Sequence, residues 1–168
     1  MFGLTSLGVI HTIISLVAVA AGLVAFFRDK RIVATNTTGR VYIWATVLTC
    51  VTGFGIFQHG GFGKPHMLGI ITLVVLAVAA LAGRRRLFGG WSAYVETVSY
   101  SLTFFFHMIP GVTETTTRLP LGKPLLPNAD APELQAAAGV LFLIGAAWQC
   151  LQLRSRNRSG LASASPAA

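Results

Sequence analysis

Charge is scarce in this 168-residue chain. Asp, Glu, Lys and Arg make up 11% of it, against roughly 25% in a soluble globular domain. With less than half the usual charge, most of its surface is poorly matched to water, which argues against an ordinary soluble domain and for a single membrane domain. Cysteine is nearly absent too. Cys50 and Cys150 each lie inside an apolar run, and no C-x-x-C pair occurs. That argues against a disulfide framework and leaves two buried thiols. The chain also lacks G-x-S-x-G, H-E-x-x-H and a phosphate loop, so no hydrolytic or transferase motif is present, and a redox role is one that the sequence leaves open.

What is present in quantity is hydrophobicity: 54% of residues are apolar and the mean hydropathy is +0.68. A spanning helix needs about 20 predominantly apolar residues. Five runs approach that length: 4–27, 41–57, 67–82, 91–109 and 134–153. The pattern predicts an all-α, polytopic transmembrane helix bundle of about five spans. The first run has no Lys or Arg before it and ends at "FFRDKR", so it reads as a retained helix, too long for a signal peptide.

The basic residues cluster between the runs. Arg28, Lys30, Arg31, Arg40, Arg84, Arg85, Arg86, Arg154, Arg156 and Arg158 fall on one side, and Lys64, Arg118 and Lys123 on the other. The positive-inside rule then places the N-terminus outside and the C-terminus in the cytoplasm. This spacing is that of membrane loops and argues against nucleic acid as a partner. Residues 110–133 become an extracytoplasmic loop, broken by Pro110, Pro120, Pro124, Pro127 and Pro132. Residues 154–168 read as a basic, disordered cytoplasmic tail. No internal repeat of the kind found in two-halved transporters appears.

On this map His11, His59, His66 and His107 all fall in the outer half of the membrane, on four different helices. Glu96, Tyr100, Thr103 and His107 recur at helical spacing and form one polar stripe on the fourth helix. Gly8, His11, Ser15 and Gly22 share a face of the first, and Thr52, Gly55 and His59 a face of the second. Polar side chains in hydrocarbon turn toward the bundle, because leaving them unpaired in lipid is costly.

Several chemistries suit such a cluster. Two neutral imidazoles on facing helices can ligate haem b, and His11 with His66 or His59 with His107 are the candidate pairs. Copper or zinc is a second option, with His66, Met67, His107 and Met108 as candidate ligands. A haem or metal centre would serve electron transfer with a redox partner protein. A proton path through Glu96, Tyr100, Thr103 and His107 is a third, serving a small proton-coupled transporter. The plain alternative is a structural or accessory membrane subunit with interfacial histidines and the lipid bilayer as its main partner.

The stretches "TTGRVYIWATVLTCVTGFGIF", "PHMLGIITLVVLAVAALAGRRR" and "FFFHMIPGVTETTTRLP" resemble small bacterial multi-pass membrane proteins of the domain of unknown function 2306 type. The likeness covers roughly residues 5–125 and rests on Gly39-Arg40-x-Tyr42 and the order of helices and histidines. It implies a bacterial cytoplasmic-membrane protein of unassigned activity. Asn36-Thr37-Thr38 stands where that family has a histidine, so no ligand role carries over there.

Overall fold

The structure is a computed structural model that describes residues 5–57, 61–85, 87–118 and 132–163. The side chains of Arg85, Glu114, Arg118 and much of the fifth helix lie outside the described set. Among the described residues the chain is all-α, without strands. Its helices are α1 (Ser6–Asp29), α2 (Thr37–Gly53), α3 (Lys64–Arg85), α4 (Ser92–Arg118) and α5 (Pro132–Ser163).

Local chemistry sets the helix ends. Thr5 caps α1 by accepting the Gly8 N–H at 3.1 Å, satisfying one of the orphan donors of the first turn. Lys30 closes α1 in the left-handed region at φ 60° and returns its N–H to the Phe26 carbonyl. Asn36 caps α2, accepting the Gly39 N–H at 2.8 Å. Glycine is required at residue 39, because a Cβ there would lie 1.9 Å from the Val33 carbonyl oxygen. At α3 the Gly63 N–H donates to His66 Nδ1 at 3.2 Å, the reach-back of a third-position side chain in a capping box.

Three helices differ from the sequence reading in ways that matter for the site, and α3 extends by a turn at each end, from 67–82 to Lys64–Arg85. α2 starts at Thr37 and ends at Gly53, where a span over 41–57 is expected, because Asn36 caps it a turn earlier. α4 does not stop at Ile109: it runs through Pro110 to Arg118, so residues 110–118 are helix and not loop. Proline removes one hydrogen bond, and beyond it Thr115 and Thr116 donate to the Gly111 and Val112 carbonyls at 2.7 and 2.8 Å. α5 continues to Ser163, so the expected disordered tail from 154 is helical up to that point. Residues 119–131 of the expected loop and 164–168 of the tail lie outside the described residues.

Helix contacts define a ring. α1 packs on α2, α2 on α3, α3 on α4, and α4 closes back on α1. α5 lies outside the ring against α4. Tie points give the directions. His11 meets Thr52, Phe54 meets Gly69, Gly83 meets Glu96, and Gly22 meets Phe104. Consecutive helices are therefore antiparallel. The bundle has a histidine end, where α1 begins, and an arginine end, where α1 finishes.

The bundle is inside-out. Its buried residues include Thr46, Thr49, Thr103 and His107, beside an apolar cluster of Ala25, Ile32, Tyr42, Leu76, Ala79 and Tyr100. Its surface is Val, Ile, Leu and aromatic: Leu16 is 62% exposed and Trp44 65%. A soluble bundle buries such side chains in an apolar stripe and exposes its polar face. Among the described residues two helices, α1 and α3, are long and apolar enough to cross a membrane. Only 17% and 28% of their most apolar stretches are buried within the bundle. α2 has 17 residues, and polar side chains dilute α4.

Candidate polar site at the bundle centre

α2 and α4 face each other diagonally across the ring, and their polar side chains meet at its centre. The His107 imidazole uses both nitrogens: Nε2 lies 3.0 Å from Thr46 Oγ1 on α2 and Nδ1 lies 3.3 Å from Ser15 Oγ on α1. The proton positions follow from the hydroxyls. Thr46 has one hydroxyl proton and donates it to the Tyr42 carbonyl at 2.8 Å. Its oxygen therefore accepts from His107 Nε2–H, and Ser15 donates to the bare Nδ1. Three helices are pinned by one neutral imidazole.

Polar contacts continue toward the arginine end. Thr103 donates to the Tyr100 carbonyl at 2.8 Å, so the Tyr42 hydroxyl donates to Thr103 Oγ1, also at 2.8 Å. Thr46 neighbours the Tyr42 hydroxyl, but in this arrangement no proton lies between them, because Thr46 gives its own to the Tyr42 carbonyl and Tyr42 gives its own to Thr103. His107 with Thr46, and Tyr42 with Thr103, thus form two buried hydrogen-bonded pairs set side by side between α2 and α4. Tyr100 is buried one turn before Thr103, and Glu96 one turn before Tyr100, within its electrostatic reach.

The other candidate residues divide as follows. His11 donates Nδ1–H to Thr52 Oγ1 at 3.1 Å, because Thr52 gives its own proton to the Leu48 carbonyl. The His11 ring also lies within reach of the Thr49 carbonyl, and with its proton on Nδ1 a neutral His11 leaves the Nε2 lone pair as its acceptor site. His66 is buried beside the rings of Phe57 and Phe62, with centroids at 5.0 and 5.2 Å. Its Nδ1 accepts from Gly63, so Nε2 carries the proton, and that atom is buried without a partner among the described residues. Met67 is exposed and Met108 half-buried. His59 lies outside the described residues. α1 and α3 sit diagonally, so His11 and His66 are on helices that do not pack together. His107 lies about three turns from the end of α4 rather than one, because the helix continues past Pro110.

Ligation needs an imidazole lone pair, with the other nitrogen donating its proton to a supporting acceptor. Among His11, His66 and His107, that arrangement belongs to His11. No group of three or more His, Cys, Asp or Glu among the described residues is placed to hold one metal ion. Glu96 rests against Gly83 of α3 and lies within electrostatic reach of Arg31.

Tyr42 and Thr46 are not among the candidates read from the sequence, which follows Thr52, Gly55 and His59 on this helix. The signal is there: Tyr42, Thr46 and Thr49 recur at intervals of four and three and are all buried. No family model, no curated protein and no solved structure matches this chain.

Proposed function

We propose that this chain is a five-span protein of a bacterial cytoplasmic membrane, with its N-terminus outside, and that its polar centre is the proton path of a small proton-coupled transporter. The observation that carries this reading is His107, an ionisable group hydrogen-bonded to α1 and α2 within a bundle whose outer surface is apolar. An ionisable side chain inside a membrane bundle is expensive to keep and marks a path or a relay. The apolar outer faces of α1 and α3, the basic clusters at one end and the resemblance carried by Gly39-Arg40-x-Tyr42 support the membrane setting.

The path works by hydroxyl rotation. A proton arriving at His107 Nδ1 displaces the Ser15 hydroxyl, whose proton turns to a carbonyl of its own helix. The imidazolium then releases its Nε2 proton to Thr46. Thr46 rotates from the Tyr42 carbonyl to the Tyr42 hydroxyl, which hands on its own proton to Thr103, and Thr103 releases the proton it held on the Tyr100 carbonyl toward the arginine end. Each group ends neutral, and the imidazole and the hydroxyls turn back to their starting orientations before the next proton enters, so one proton enters at the histidine end for each one delivered.

A haem or metal centre is less well supported. His107 has no free nitrogen, the unpartnered nitrogen of His66 carries its proton, and a haem held by two imidazoles needs a second ligand beside His11.

The test is proton flux into liposomes carrying the purified protein and an internal pH dye. An imposed pH gradient drives flux in the wild type. His107→Gln, which keeps two polar ends but cannot be protonated, loses it by about a hundredfold or more. Wild-type flux no faster than that of empty liposomes rules the reading out.

A further inference from the structure

The arginine end of the bundle holds a second ionisable group in a built position. α3 presents a face of small, buried residues, Ala79 and Ala82, and the close approach they permit brings α4 against it. One turn beyond Ala79 comes Gly83. A Cβ at Gly83 would lie 2.6 Å from Glu96 Oε1, 2.7 Å from its carboxyl carbon and 3.1 Å from Oε2. The whole carboxyl group therefore occupies the space that a side chain at residue 83 would fill.

The α1–α2 connection completes the surroundings. Ile32 is buried against the cluster that contains Leu76, Ala79 and Tyr100, so this segment folds under the arginine end of the bundle. Its neighbour Arg31 lies within electrostatic reach of Glu96, as does the Tyr100 hydroxyl, which also feels Arg84 of α3. Among the described residues the charged and titratable groups facing the carboxyl are thus Arg31 and Tyr100, with Arg84 within reach of Tyr100. Among the described residues the ion pair of this end is Arg28–Asp29 at 2.9 Å. Glu96 instead sits in the helix seam, in line with Tyr100, Thr103 and His107.

We propose that Glu96 is the group through which the polar centre exchanges protons with the solution at the arginine end, and that Gly83 is the positioning residue that seats it. This rests on the proton-path reading and adds to it the exit group and the residue that places it. The carboxylate takes the Tyr100 hydroxyl proton as Tyr100 regains one from Thr103, and releases it to water beyond Arg31, returning to its ionised form.

The seating is read by a double-mutant cycle that needs no transport. In detergent, Gly83→Ala is less favourable to the unfolding midpoint in the wild-type background, where the carboxyl must move aside, than in Glu96→Ala, where the slot is empty. Glu96→Gln, of equal size, gives no such relief. Equal shifts in all three backgrounds overturn the seating. The role is read in liposomes. Glu96→Gln lowers flux by about a hundredfold. Gly83→Ala shifts the pH at which flux is half-maximal, whereas loosened packing alone lowers flux at every pH alike. Wild-type flux with unaltered flux and pH profile in both variants overturns the role of Glu96 and leaves the His107 path standing. Absence of flux in the wild type removes both.

Discussion

At the scale of single residues, the account turns on hydroxyl groups that each have one proton to give. Thr46, Thr52 and Thr103 spend theirs on carbonyls of their own helices, and that fixes the direction of every bond their oxygens make to His107, His11 and Tyr42. Histidine-selective nitrogen NMR should therefore find His107 neutral with its proton on Nε2. A proton on Nδ1 would reverse the Ser15 and Thr46 bonds and contradict the assignment. Tyr42→Phe removes one donor from the Thr103 bond. It should cost about 0.6 to 1.7 kcal/mol in a thermal or denaturant assay, the range for hydrogen bonds between helices in membranes. The sequence makes the stripe of Glu96, Tyr100, Thr103 and His107 visible through its spacing. It does not reveal that Thr46 and Ser15 are the partners of His107, because periodicity gives the face of a helix and not the residue opposite.

At the scale of helices, close approach and capping set the geometry. Gly22 of α1 lies against the Phe104 ring of α4: a Cβ there would sit 2.4 Å from Cδ2 and 3.2 Å from the Tyr42 ring. Gly22→Ala should cost about 1 to 3 kcal/mol through forced repacking and should loosen the Ser15–His107 bond with it. Pro110 acts in the opposite direction. It stands inside α4, where a proline costs roughly 3 kcal/mol relative to alanine in an isolated helix interior. Pro110→Ala should raise the unfolding midpoint, and a fall would mean that the proline makes a packing contact of its own. This proline is also where sequence reasoning misplaces a boundary. A run of threonines after a proline reads as loop, yet threonine hydroxyls that bond back to carbonyls one turn earlier fit a continuing helix.

At the scale of the molecule, the five helical segments and the segregation of arginines to one end are legible in the sequence. Apolar run length and charge placement depend on composition along the chain. The ring order is not legible, because which diagonal becomes the centre depends on side-chain size at contacts such as Gly22–Phe104 and Gly83–Glu96. The proposed orientation has a direct check. With Cys50 and Cys150 replaced by alanine, Thr35→Cys in the α1–α2 connection should react with an impermeant thiol reagent only when the membrane is opened. Gly61→Cys, at a position where a side chain meets nothing within 4 Å, should react in intact cells. The reverse pattern would invert the topology.

The proton path itself is tested most directly by cutting it where no titratable group is touched. Thr46 joins His107 to Tyr42, so Thr46→Val keeps shape and apolar volume but removes the hydroxyl, and Thr46→Ser restores it. In liposomes under an imposed pH gradient, the account predicts flux in the wild type and in Thr46→Ser, and a loss of about a hundredfold in Thr46→Val. Equal flux in Thr46→Val and the wild type would contradict it.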